Sequence, residues 1–111
     1  MKTEARIQQE IVQWFRNEYC RTVHQPQCMI FSVPNEGRNV KEQMRKLSTG
    51  MMSGVSDLIV MMQNRILFVE VKDETGKQSK NQILFQERAR IMGFDYYLVR
   101  SLEEFKEIIQ S

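Results

Sequence analysis

Residues 66–72, Ile66-Leu67-Phe68-Val69-Glu70-Val71-Lys72, are the stretch on which the reading of this chain turns. Four apolar, mostly β-branched or aromatic residues in a row read as a strand, and its last three residues interrupt the apolar run with two charges. Side chains on a strand alternate between faces, so Glu70 and Lys72 point the same way, with Ile66 and Phe68. A carboxylate and an ammonium on a face that otherwise reads as buried are expensive unless paired or bound to a metal.

Working backwards, Leu58 to Met62 is a second apolar run, read as a buried strand opened by Asp57. A turn around Asn64-Arg65 joins the two runs as a hairpin, which can bring Asp57 alongside Glu70. Two carboxylates with a backbone oxygen make a hard oxygen site, suited to Mg²⁺ or Mn²⁺ and not to zinc. Such a cation stabilises charge on a phosphodiester, and a nearby lysine orients water and offsets developing negative charge. The plain alternative is an exposed Glu–Lys pair at a sheet edge.

The flanking sequence supplies an α/β frame. Residues 4–20 carry Ile7, Ile11, Trp14, Phe15, Glu18 and Tyr19 at helical spacing, with Thr3 as N-cap. Glu10 borders the apolar stripe of that helix; it reads either as a site acid or as the solvated edge of an amphipathic helix. Residues 29–33 read as a short strand, Pro34 to Gly37 as a turn, and 38–50 as a basic stretch compatible with a short helix whose ends stay open. Gly50 to Gly54 reads as a loop. Downstream, a polar loop spans 73–77. A helix begins at Ser79 and runs to about Met92, with Gly93 past its end. Residues 95–100 form another strand, and Ser101 to Glu104 reads as a capping box opening a helix to about Ile109. The order is helix, three strands, helix, strand, helix: one sheet covered by helices.

Composition bounds the rest. The chain has 111 residues, 41% hydrophobic and 27% charged, which is one domain with a core of its own and no disordered tail. Cys20 and Cys28 are too few for a disulfide scaffold and are not spaced as a zinc pair, so they read as idle thiols. The N-terminus has no apolar signal region and no run approaches a membrane span, which predicts a cytoplasmic protein. The only histidine, His24, reads as a surface residue in a Pro-containing turn. The methionine pairs at 51–52 and 61–62 read as core filler or interface. A net charge of +2 hides two basic clusters: Arg38, Lys41, Arg45 and Lys46 before Asp57, and Lys77, Lys80, Arg88 and Arg90 after Lys72. Both flank the carboxylates, as a phosphate-tracking groove requires, or else belong to a solvated surface. No aromatic interleaving suggests base stacking, so shape and backbone recognition is expected.

Taken in order, Glu10, Asp57, Glu70-Val71-Lys72 and Gln82 resemble the PD-(D/E)XK nuclease superfamily, and more narrowly the VRR-NUC (virus-type replication–repair nuclease) family. The stretches that carry the resemblance are Val33-Pro34-Asn35, Gly54-Val55-Ser56-Asp57-Leu58, Phe68 to Lys72, the GKQSKNQ of 76–82, and Gly93-Phe94 before the last strand. They cover nearly the whole chain, which resembles a small stand-alone phage-type member. The resemblance implies a restriction-endonuclease-like core, αβββαβ, with a mixed sheet flanked by helices. It also implies roles: Asp57 and Glu70 as metal ligands, the Val71 carbonyl completing the shell, and Lys72 activating or positioning water. Glu10 would be a first-helix acid reaching the metal, and Gln82 would support water or the scissile phosphate. Ser79-x-x-Gln82 is equally a capping box, and both readings can hold. The family usually has Gly-x-Pro-Asp; Ser56 stands in place of that proline, which bears on strand geometry and not on the carboxylate. The implied activity is metal-dependent cleavage of branched DNA, four-way junctions above all, by a homodimer in the cytoplasm of a bacterial host. Its rivals are a flap or single-strand nuclease, a non-catalytic DNA-binding subunit, and a plain interaction module.

Overall fold

The computed structural model describes residues 1–21, 25–34 and 38–111. His24 and most of the turn expected at 34–37 lie outside the described residues. The chain forms α1 (Glu4–Tyr19), β1 (Met29–Ser32), α2 (Val40–Ser48), β2 (Leu58–Met62), β3 (Arg65–Val71), α3 (Lys80–Ile91), β4 (Asp95–Val99) and α4 (Leu102–Gln110). This is the expected α/β order, with α2 formed inside the basic stretch.

The four strands lie in the order β1-β2-β3-β4. β1–β2 and β2–β3 are antiparallel, and β3–β4 is parallel, as a crossover through α3 requires. The hairpin register pairs Leu58 with Val69 and Met62 with Arg65. The turn therefore falls on Gln63-Asn64, one residue before the expected Asn64-Arg65, and Asn64 takes the left-handed conformation at φ 62°. Asparagine tolerates that conformation better than arginine, which explains the shift.

The alternation of the strands sorts the core. Ile30, Leu58, Val60, Leu67, Val69, Val71 and Val99 share one face and are buried against Ile7, Ile11 and Phe15 of α1 and Phe105 and Ile109 of α4. The α1 residues recur every four positions, the stripe a helix presents to a sheet. Phe15 meets Phe105 edge-on at 6.0 Å between ring centres. On the opposite face, Phe68 packs on Phe85 of α3 at 5.2 Å, and Phe85 on Tyr96 of β4 at 6.0 Å.

Local chemistry fixes the helix starts. The Thr3 hydroxyl accepts from the Arg6 amide at 3.1 Å and Asn39 Oδ1 from the Glu42 amide at 2.9 Å. Ser79 and Gln82 form the reciprocal capping box. At α4 only half of the expected box forms: Ser101 Oγ accepts from the Glu104 amide at 3.1 Å, but Glu104 Oε1 accepts from the Arg100 amide instead, at 2.6 Å. α2 shares no contact with another helix or strand among the described residues. It exposes Val40, Met44 and Leu47, which lie on one side of the helix.

Candidate active site

The site lies where β3 ends. One step beyond the β2–β3 register places Asp57 opposite Glu70, on the face that carries Phe68 and Tyr96. The Val33 amide donates to the Asp57 carbonyl at 3.1 Å, extending the β1–β2 ladder by one rung. Asp57 Oδ2 then accepts from the Val71 amide at 2.7 Å. The aspartate is held at both backbone and side chain, and its other oxygen stays outside that bond.

Glu70 is fully buried. Its Oε1 accepts from the hydroxyl of Tyr96. Its Oε2 is buried with no hydrogen-bond partner among the described residues, and Lys72 Nζ stands 4.0 Å away. An orphaned carboxylate oxygen in the interior costs free energy and calls for a functional reason. Burial pushes the Asp57 carboxyl above its ordinary value and the charge of Glu70 adds to this, while the Val71 amide and Lys72 oppose it. Two carboxylates crowded on a half-dry face with one lysine beyond hydrogen-bond reach are the environment a hard cation relieves. The donor set present, Asp57 and Glu70 with the neighbouring backbone, thus fits Mg²⁺ or Mn²⁺. No cluster of three or more acidic, histidine or cysteine side chains forms among the described residues, so no third carboxylate joins the pair.

Two loops hold these residues in place. Gly54 sits at φ +85°, and a side-chain carbon there would lie 2.3 Å from the Asn81 carbonyl oxygen and 2.8 Å from the Gln82 amide nitrogen. The backbone leading to Asp57 thus rests directly on the first turn of α3, an approach open to glycine alone. Ser56 is fully buried and its hydroxyl donates to the Leu58 carbonyl at 3.1 Å. That bond restrains the entry to β2 where the family pattern has a proline. After Lys72, Asp73 Oδ1 accepts from the amides of Thr75 and Gly76 at 3.1 and 2.7 Å. Arg100 Nη1 donates to the carbonyls of Asp73 and Gly76 at 2.6 and 2.8 Å.

The remaining candidates are distributed unevenly. Gln82 lies at the start of α3, and its Oε1 accepts from the Ser79 amide at 2.8 Å, so the capping role is realised. Glu10 is bonded to Lys2 at 2.9 Å and to Arg6 at 3.2 Å, and Lys2 foremost holds its carboxyl below the ordinary value. Glu4, which carries no role in the sequence reading, shares the surroundings of Gly76 with Lys72: a side-chain carbon at Gly76 would lie 3.3 Å from Lys72 Cδ and 3.4 Å from Glu4 Oε2. Tyr96 was also passed over. No local pattern marks it; only the parallel register of β4, Phe68 beside Tyr96, sets its hydroxyl against Glu70.

Among the basic residues, Lys77 and Lys80 are exposed and stand on the loop and first helical turn that follow Lys72. Arg38 and Lys46 both bind Glu42, at 2.8 and 3.0 Å, and their charge is partly spent there. Lys41 and Arg45 are exposed and form no ion pair among the described residues. No helix is long and apolar enough to cross a membrane.

Comparison with known proteins agrees with this fold. One solved structure, a VRR-NUC domain, is 26% identical with a TM-score of 0.67, over 99% of this chain and 97% of that one. A second, a VRR-NUC domain protein, shares 18% identity with a TM-score of 0.77, over 99% and 87%. A search of curated proteins gave no match. The VRR-NUC family profile matches residues 2–103, which is most of the sequence and includes Asp57, Glu70 and Lys72, and the chain belongs to the VRR-NUC domain family, a family of nuclease type.

Proposed function

We propose that this chain is a Mg²⁺- or Mn²⁺-dependent endonuclease that hydrolyses phosphodiesters in branched DNA, acting on four-way junctions as a homodimer. The observation that carries this reading is the orphaned Glu70 Oε2 near Asp57 and Lys72, a buried carboxylate oxygen with no hydrogen-bond partner among the described residues.

Asp57, Glu70 and the Val71 carbonyl would hold the cation. When bound, it supplies Lewis acidity toward the phosphodiester and offsets the charge of the two carboxylates. Lys72, tied by charge to Glu70, keeps its ammonium at the mouth of the site, where it orients the attacking water and balances charge building on the phosphate. Gln82 has its oxygen committed to the cap of α3 and its amide nitrogen left to support water or the phosphate. The helix acid of the reading was Glu10. The salt bridges of Glu10 to Lys2 and Arg6, and the place of Glu4 next to Gly76 and Lys72, favour Glu4 in that role, reaching the cation through water because no third carboxylate joins the pair among the described residues.

Substrate contact rests on Lys77 and Lys80 on one side, and on Arg38, Lys41, Arg45 and Lys46 of the α2 arm on the other. The arm leaves β1 and returns before β2 on the edge where Asp57 stands, so its cations flank the same end of the sheet. Cations spread this way follow backbone and shape, not base sequence. The homodimer is supported by an apolar groove of ≈ 530 Å³ lined by Met52, Phe68, Phe85, Met92 and Phe94, with Ile91 exposed at its rim. Two sites related by a two-fold axis would cut two strands symmetrically.

The test is incubation of the chain with labelled four-way junction, flap, duplex and single-stranded DNA in Mg²⁺, Mn²⁺ or EDTA. Metal-dependent cutting that favours the junction is expected. Cutting of a flap or single strand in preference would overturn the substrate assignment, and binding of junction with no cutting in either metal would leave a non-catalytic DNA-binding domain.

A further inference from the structure

The site's most buried polar contact involves a residue that the reading above does not use. Tyr96 is 2% exposed, and its ring is packed beside Phe85 between β4 and α3. Its hydroxyl donates to Glu70 Oε1. Gln78, at the end of the loop after Lys72, stands beside the same hydroxyl. Gln86 is oriented by its network so that its nitrogen donates to Gln78 Oε1 at 3.2 Å and its oxygen accepts from Arg90 Nη1 at 2.6 Å. Arg90 Nη2 also donates to the Tyr96 carbonyl at 3.3 Å. Polar side chains of the following loop and helix, Gln78, Gln86 and Arg90, therefore line the approach to the phenol, and the phenol alone bonds the carboxylate.

We infer that Tyr96 is a positioning residue for the acidic site, fixing Glu70 by one oxygen so that the other, on the side of Lys72, is left for the cation. The inference rests on the metal-site reading above. Its physical basis is the asymmetry of Glu70. A buried carboxylate with no donor on either oxygen is free to turn about its last torsion, which is broad and nearly two-fold. One hydrogen bond to Oε1 removes that freedom and leaves Oε2 the single oxygen without a partner. The phenol is itself held, because Arg90 bonds the Tyr96 carbonyl and the buried ring packs on Phe85. Partners of a metal-ligating carboxylate that act in this way govern affinity without touching the metal.

The test is Mn²⁺ binding to the whole chain without DNA, read from the loss of the free-ion electron paramagnetic resonance signal. Wild type is compared with Tyr96→Phe, Tyr97→Phe and Glu70→Gln. Tyr97 also carries a hydroxyl, which accepts from Arg65 Nη2 at 3.4 Å away from Glu70, so it controls for loss of a hydroxyl from the same strand. Tyr96→Phe is expected to weaken Mn²⁺ binding about 10- to 100-fold while Tyr97→Phe leaves it unchanged. In cleavage assays the Mn²⁺ concentration for half-maximal rate should rise by a similar factor, with the rate at saturating Mn²⁺ largely regained. Equal Mn²⁺ affinity in Tyr96→Phe and wild type would overturn the inference and leave the metal-site reading standing. Absence of any Mn²⁺ binding by wild type would overturn both. Should Tyr96→Phe lose its near-ultraviolet circular dichroism, Tyr96→Leu carries the test: weakened Mn²⁺ binding by a folded protein supports the inference, and unchanged binding contradicts it.

Discussion

At the scale of single residues, the site is a set of charges placed where the fold gives them few partners. Asp57 and Glu70 could be read from the sequence because strand alternation and a hairpin suffice to bring them together. Glu4 and Tyr96 could not. Glu4 continues the stripe of Ile7, Ile11 and Phe15 at the start of α1 while Glu10 borders it, and six residues along a helix turn the two by about 240° and separate them by about 9 Å. Which of them meets Lys72 is decided by the 73–76 loop, itself fixed by Arg100 from a distant strand end. Tyr96 depends on the register of a parallel pair, which no turn length encodes. The consequence is measurable. Glu4→Gln should lower the cleavage rate by about 10-fold more than Glu10→Gln, as expected for a group near the site against one held in surface ion pairs. A larger loss in Glu10→Gln would return the helix-acid role to Glu10.

At the scale of elements, the starts of α1 and α3 and the pairing of β2 with β3 were legible in caps and apolar runs. The limits of α2 were not, because that helix buries no residue and its extent is set by Asn39 and by the Arg38–Glu42–Lys46 pairs. Binding to Arg38 and then Lys46 lowers the Glu42 carboxyl from 4.5 to about 2. A lowered folded value means that its contribution is present above 4.5 and is lost as pH falls toward 2. The Cα shifts of 40–48 should therefore move toward coil over that window while those of β3 hold. The Gly54 contact is the opposite kind of feature, a backbone-to-backbone approach. Gly54→Ala would place a carbon 2.3 Å from the Asn81 carbonyl oxygen at a positive φ, so it should cost at least about 2 kcal/mol in urea unfolding and displace Asp57 from α3. A change under about 0.5 kcal/mol would show that the loop relaxes freely.

At the scale of the whole molecule, a net charge of +2 on 111 residues gives little sign of a nucleic-acid protein. The arrangement explains why. Acidic groups are drawn into one centre and into pairs such as Arg38–Glu42 and Arg65–Asp95, while Lys41, Arg45, Lys77 and Lys80 stay outside these pairs. Replacing Lys41 and Arg45 together by alanine should weaken junction binding and reduce the slope of log affinity against log salt by about 1 to 2, without changing stability. An unchanged slope would remove α2 from the DNA surface.

If Asp57, Glu70 and Lys72 form a metal-dependent phosphodiester-cleaving centre, the initial rate of cutting of an end-labelled four-way junction in Mn²⁺ must depend on each of them. Wild type, Asp57→Ala and Lys72→Ala are compared, each with an EDTA control. Wild type should cut and EDTA should abolish the cutting, and each variant should lose at least about 100-fold in rate with circular dichroism and junction binding retained. Cutting by either folded variant at the wild-type rate, or cutting that persists in EDTA, would contradict such a centre.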